Sequence, residues 1–185
     1  LVPVSRANTK YIDLVYRTIN KYTPFSSVLE LGAGFGNVII NIAKNLDNIG
    51  IYAAEYTRNG RSLINNIARN DNIDIAIGSC DFITGEINGI SVPPDSCIIT
   101  SQASHYVPML DDNFIQSISK LRPKVVIQFE PVYEHCDDGS LFGLLRKRYI
   151  EINDYNINLL SLLNNEQQKG NIHIIKERKA VFSVN

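Results

Sequence analysis

The 185 residues (20.8 kDa) suffice for one sizeable hydrophobic core, whereas two full domains would each be undersized. With 44% hydrophobic and 20% charged residues, a net charge of -1 and a pI near 6.3, the composition excludes a disordered chain and lacks the basic surface that phosphate backbones and anionic lipids select. A small-molecule partner is therefore expected in preference to nucleic acid, and no apolar run approaches the roughly 18 residues of a membrane span. Cys80, Cys97 and Cys136 show no C-x-x-C spacing, so neither a disulfide framework nor a structural zinc site is expected, and a reducing cytoplasm fits best.

In chain order, Tyr11 to Ile19 carries apolar residues at helical spacing and stops before Pro24. Residues 27–31 (Ser-Val-Leu-Glu-Leu) form a short apolar strand ending in glycines, followed by a buried helix over 38–44. The pattern repeats with a strand at 51–55, a helix over 61–70 with Leu63, Ile64 and Ile67 on one face, and a third strand at 73–77. Residues 82–95 are rich in turn formers, with room for a short helix. A strand at 97–100, a helix around 114–118 ending before Pro123, and a strand at 125–129 follow. One long helix is predicted from about Leu141 to Leu163, and then two β-prone pieces, 173–175 and 181–184, are too close for a crossover and predict an antiparallel edge.

This alternation predicts an α/β fold: a single, doubly wound, Rossmann-like, mostly parallel sheet with helices on both faces and an antiparallel C-terminal edge. Within one domain spanning 1–185, residues 1–22 form an N-terminal helix region, 26–130 a ligand-binding core, and 131–185 a rim loop, long helix and terminal strands. Ligands bind such sheets at the carboxyl ends of the strands.

The most specific feature is Glu30-Leu31-Gly32-Ala33-Gly34-Phe35-Gly36, between a predicted strand and a predicted helix. Alternating glycines permit a turn forbidden to other residues and let a nucleoside approach the main chain. A dinucleotide fingerprint needs glycine at position 37, which is asparagine, so the spacing is G-x-G-x-G and the nicotinamide reading loses its support.

These residues resemble the first motif of the class I S-adenosylmethionine-dependent methyltransferases, an acidic residue two places before a G-x-G-x-G turn. The resemblance spans roughly Val28 to Phe129. It implies S-adenosylmethionine as cofactor and S-adenosylhomocysteine as product. It also implies that Glu55, closing the second strand, holds the ribose hydroxyls, that Asp81 after the third strand contacts the adenine amino group, and that Phe82 packs on the ring. Glu30, Gly32, Ala33, Gly34, Gly36, Tyr56 and Ser101 complete the expected cofactor contacts. Against this, Glu30, Glu55 and Asp81 also suit helix capping or turn stabilisation.

Methyl transfer requires alignment of an acceptor lone pair and removal of a proton. The stretch Ser101-Gln102-Ala103-Ser104-His105-Tyr106 follows the fourth predicted strand; His105 is the candidate general base, and a capping histidine is the alternative. It departs from the Asn/Asp-Pro-Pro-aromatic motif of many nucleic-acid amino methyltransferases. The acidic run from Glu130 to Asp138 follows the fifth predicted strand, making Glu130 and His135 further catalytic candidates; a solvated loop is the commoner role, and no metal site is assigned. Arg146 to Arg148 reads as a solvated face and His173 as structural. The expected function is methylation of a small-molecule hydroxyl, on a sugar or natural product. Amine or protein side-chain methylation and a silent cofactor-binding scaffold are the alternatives, and a homo-oligomer could complete the acceptor site.

Overall fold

A computed structural model describes residues 4–46 and 48–179. Six strands form one sheet: β1 (Ser27–Leu31), β2 (Gly50–Ala54), β3 (Ala76–Cys80), β4 (Ile87–Asn88), β5 (Cys97–Ser101) and β6 (Val125–Phe129). Their spatial order is β4-β3-β2-β1-β5-β6, parallel throughout except for the β3/β4 pair. The helices are α1 (Val4–Ile19), α2 (Asn37–Ala43), α3 (Arg58–Asn70), α4 (Asp112–Lys120), α5 (Leu141–Ile152) and α6 (Leu159–Gln168).

Period-two alternation divides the core between the sheet faces. Val28, Ala53, Cys97 and Ile99 face one side, where Val15 and Ile19 of α1, Ile39 and Ile42 of α2, and Ile64 of α3 cover them. Leu29, Leu31, Ala54 and Ile98 face the other, against Phe114, Ile115 and Ile118 of α4 and Leu159 and Leu162 of α6. Strand β1 is buried along its whole length because it lies between β2 and β5. The chain winds outward from β1 in both directions, so the crevice of the switch point opens at the carboxyl ends of β1 and β5, where ligand sites form in such sheets.

Four elements depart from the sequence expectation. The third strand occupies 76–80 instead of 73–77: left-handed Asn72 (φ +55°) ends α3, and Ile73 N donates to Ala68 O, so residue 73 still belongs to the helix terminus. The turn-rich segment holds the short strand β4, with no helix. The single long helix is two, α5 and α6, separated by residues 153–158. There Asp154 is left-handed (φ +51°), and the buried Asn156 side chain accepts from the N–H groups of Asn158 and Leu159, local bonding that competes with helix continuation. Among the described residues the antiparallel edge is β4 on β3, at the opposite side of the sheet from β6, and residues 172–179, His173 included, form no strand. The expected strand at 181–184 lies outside the described residues. Among the described residues, β6 has no outer partner strand, and no helix is long and apolar enough to cross a membrane.

Candidate active site

The glycine turn follows β1, with Gly32, Gly34 and Gly36 at φ +71°, +58° and +87°, all left-handed. At Gly32 a Cβ would overlap the methyl group of Ala103 and lie 3.2 Å from the Phe82 ring, so the absence of a side chain brings three strand ends together. At Gly34 a Cβ would meet nothing within 4 Å, leaving this face of the turn open to a ligand.

Two carboxylates support the turn. Glu30 is 2% exposed, and its Oε2 accepts from Ile39 N at 2.9 Å, satisfying a free donor in the first turn of α2. Burial raises its carboxyl to about 8, with the Ile39 bond opposing and the Glu130 and Glu55 charges adding to the rise. Glu55 closes β2; its Oε2 accepts from Gly34 N at 2.9 Å and its Oε1 from the N–H and hydroxyl of Thr57 at 2.8 and 2.7 Å. A Cβ on Gly60 would meet both Glu55 Cγ and Gly34 O at 2.6 Å, so the glycine in the first turn of α3 lets that helix close on the pair. Arg61 donates to the carbonyls of Glu55 and Tyr56, which fixes the chain after β2 and leaves the Tyr56 ring exposed.

Asp81 follows β3. Its Oδ1 accepts from Ile83 N at 2.8 Å and Thr84 N at 3.4 Å, an Asx-type turn, while Phe82 packs edge-on against Phe114 at 5.5 Å. Ser101 ends β5, its hydroxyl 2.6 Å from that of Tyr11 on α1; burial pushes the Tyr11 phenol up to about 12. Ala33 is buried within the turn.

Beyond β5 the chain bends into residues 102–110, and the acidic residue after β6 folds back over it. Glu130 accepts from Ala103 N at 3.0 Å and Ser104 N at 3.2 Å, and its Oε2 lies 3.2 Å from His105 Nδ1; the two side chains are 0% and 9% exposed. A carboxylate on Nδ1 selects the tautomer with its proton there, which leaves the Nε2 lone pair available. No protein group bonds to Nε2 among the described residues. This is a base-and-orienter arrangement, one residue pair from Ala103 and hence beside the glycine turn. Tyr106 and Tyr155 pack on His105, and Tyr149 packs on Tyr155, forming an aromatic wall.

His135 stands apart from this pair. Its Nε2 is 2.6 Å from Glu177, and it lines a cavity of about 1000 Å³ along the outer edge of β6, bounded by α1, α4, α6 and residues 171–179. Glu134 turns away from Glu130 to accept from Ser161 N, so the two carboxylates do not converge. Among the described residues no group of three or more His, Cys, Asp or Glu side chains gathers as a metal site would require. Sequence reasoning did not single out Gly60, Tyr11, Tyr155 or Asn156. The lone Gly60 just before the helix predicted over 61–70 is the one signal of close backbone approach; the others carry no local motif.

No family model and no curated protein matches the sequence. Solved structures do match. An S-adenosylmethionine-dependent methyltransferase from Clostridium acetobutylicum ATCC 824 aligns at 17% identity and TM-score 0.55, over 74% of this chain and 56% of that one. The plantazolicin methyltransferase BpumL, solved with a pentazolic desmethylPZN analog and S-adenosylhomocysteine, aligns at 14% identity and TM-score 0.57, over 91% of this chain and 65% of that one. Coclaurine N-methyltransferase aligns at 18% identity and TM-score 0.51, over 65% and 33%. The chain thus spans between a third and two thirds of the length of these proteins. Taken with the sheet order and the glycine turn after β1, these alignments show that the chain has the class I S-adenosylmethionine-dependent methyltransferase fold.

Proposed function

We propose that the protein is a methyltransferase that uses S-adenosylmethionine to methylate a hydroxyl of a small molecule, a sugar or other natural product, with His105 as general base. The observation that carries this reading is the His105–Glu130 pair, with Nδ1 on the carboxylate and no protein hydrogen bond to Nε2 among the described residues, beside a glycine turn at the switch point.

The residues present fit the cofactor. The open face of Gly34 admits a nucleoside, and Glu55 uses three of a carboxylate's roughly four acceptor positions internally, leaving one for a ribose hydroxyl. Gly32, Ala33 and Gly36 form the turn, Phe82 packs close to Gly32, and Asp81, Tyr56 and Ser101, at or just after the ends of β3, β2 and β5, are assigned to the same site. Glu30 holds the turn from beneath by capping α2. When bound, the cofactor supplies a sulfonium-activated methyl group; sulfur keeps the electron pair of the broken bond and S-adenosylhomocysteine leaves.

This chain's task is then to position the acceptor and take its proton. Glu130 holds the imidazole in place, and Nε2 receives the hydroxyl proton as the oxygen is methylated. An amine acceptor would be favoured by carboxylates converging on a cationic group, whereas Glu130 is spent on two N–H groups and a ring nitrogen and Glu134 gives one oxygen to Ser161 N. The unpaired cysteines are in keeping with a reducing cytoplasm.

Calorimetric titration of the intact chain and of Glu55→Ala with S-adenosylmethionine, S-adenosylhomocysteine and NAD tests the donor site. Both adenosyl ligands should bind and NAD should not. Loss of a charged hydrogen-bond acceptor should weaken adenosyl binding by about tenfold to a hundredfold. A folded chain that ignores both adenosyl ligands refutes the assignment.

A further inference from the structure

His105 lies at the inner end of an ordered aromatic wall. Its ring stacks on Tyr106 with centroids 4.1 Å apart and a tilt of 35°, and Tyr155 meets both rings edge-on at 5.1 and 5.4 Å. Tyr149 on α5 continues the wall, 5.9 Å from Tyr155. Tyr106 and Tyr149 remain 63% and 59% exposed, so much of this aromatic surface faces solvent beside a base that is itself buried.

The wall is also held in advance of any ligand. Asn156 N donates to His105 O at 2.7 Å, and the Asn156 side-chain amide to Val107 O at 2.9 Å. Asn158 exchanges two bonds with the Leu110 backbone, at 3.0 and 2.8 Å. These bonds lash the α5–α6 loop to the segment carrying His105. Rings fixed beforehand lose little conformational freedom on binding.

The charged groups of the same rim already hold internal bonds, Glu130 with two N–H groups and His105, one oxygen of Glu134 with Ser161 N, and Asp138 with Lys147, while the Ser104 hydroxyl and the other Glu134 oxygen are buried without a partner. A sugar carries several hydroxyls that each need a partner on burial, and this wall offers carbon and aromatic faces instead. A phenolic hydroxyl, moreover, ionises near about pH 10, so an imidazole can take its proton far more readily than that of an aliphatic alcohol.

Resting on the methyltransferase reading above, we propose that the acceptor is a flat aromatic molecule bearing a phenol-type hydroxyl. Its ring packs on Tyr106 and Tyr155 with the hydroxyl turned to His105 Nε2. An apolar substituent lies along the exposed face of α5, where Leu145, Tyr149 and Ile152 recur at helical spacing.

The test is calorimetric titration of the full chain, alone and saturated with S-adenosylhomocysteine, using 2-naphthol, trans-decalin-2-ol and methyl glucoside as probes. 2-Naphthol should bind at least about fivefold more tightly than the saturated alcohol of similar size, and the glucoside should not bind detectably. Tyr106→Leu and Tyr155→Leu keep apolar bulk but remove the ring; each should erase most of the preference for 2-naphthol while leaving S-adenosylhomocysteine affinity unchanged. Two leucine variants at separate elements guard against misfolding of one. Equal affinity for naphthol and decalinol, tighter binding of the glucoside, or a preference that survives both variants overturns the proposal. If S-adenosylhomocysteine fails to bind while the naphthol preference and its loss in the variants hold, the aromatic subsite stands and the donor assignment falls.

Discussion

Glu30 gives the fold a pH dependence of predictable sign. Its carboxyl is 2% exposed and titrates near 8 in the folded chain against an ordinary 4.5, burial being the main cause. Between those values the folded state keeps a proton that the unfolded chain releases, so stability falls as pH rises, by about 1.4 kcal/mol per pH unit for this one group. From pH 5.5 to pH 7.5 that amounts to roughly 2–3 kcal/mol, a large share of a small domain's stability, and the trend flattens above pH 8. Glu30→Gln retains an oxygen to accept from Ile39 N and removes the ionisation. The stability of the variant relative to the parent should therefore rise by roughly 2–3 kcal/mol across the same interval, while Glu55 and Glu130, present in both chains, largely cancel. Urea unfolding followed by far-UV circular dichroism at four pH values measures it; the chain has no tryptophan to report by fluorescence. Parallel stability profiles, or a difference that shrinks with rising pH, would refute the account of Glu30 as a buried carboxyl without a compensating cation.

His105→Gln should lower the methyl-transfer rate by about a hundredfold or more while leaving S-adenosylhomocysteine affinity intact, and Glu130→Gln should lower it less and shift the pH–rate profile; an equal loss of cofactor affinity would count against a base role. Gly32→Ala places a Cβ into the Ala103 methyl at a left-handed backbone position, and should cost about 1–3 kcal/mol of stability in thermal or urea unfolding; a variant as stable as the parent would show the turn to be looser than described. Asn156→Ala removes two side-chain donors' bonds and the acceptor for Asn158 N and Leu159 N. It should cost about 2–4 kcal/mol and open residues 153–158 to limited proteolysis, and unchanged protease resistance would argue that this loop is held by packing alone.

Much of the fold was legible in the sequence because strand and helix periodicities are local. The apolar run of β1, the G-x-G-x-G turn and the alternation of elements predicted a parallel, doubly wound sheet, and the strands at β1, β2, β5 and β6 fell within a residue or so of their observed places. Where the structure differs, a hydrogen bond that periodicity does not report decided. Ile73 has the β-branched character of a strand but closes α3 through Ala68, and Asn156 breaks a helical pattern by bonding to segments some fifty residues earlier. Strand β4 follows β3 closely in the chain and pairs back on it, which makes the antiparallel edge of the described residues.

The candidate site divides along the same line. Glu30, Glu55 and the glycines announce themselves by spacing relative to a strand end, since one short segment carries both the turn and its function. The pairing of His105 with Glu130 is different: twenty-five residues and a helix separate them, and only parallel pairing of β5 with β6 brings their strand ends side by side. The aromatic wall draws His105 and Tyr106 from after β5, Tyr149 from α5 and Tyr155 from the loop beyond, residues with no common motif. By itself the sequence determined which backbone could turn sharply after β1, because that is a matter of glycine's freedom at each position. Which acid would orient which base, and which rings would face the acceptor, was decided by tertiary structure, because a hydrogen bond or a stacking contact is set by distance in space and the order of strands in the sheet determines that distance.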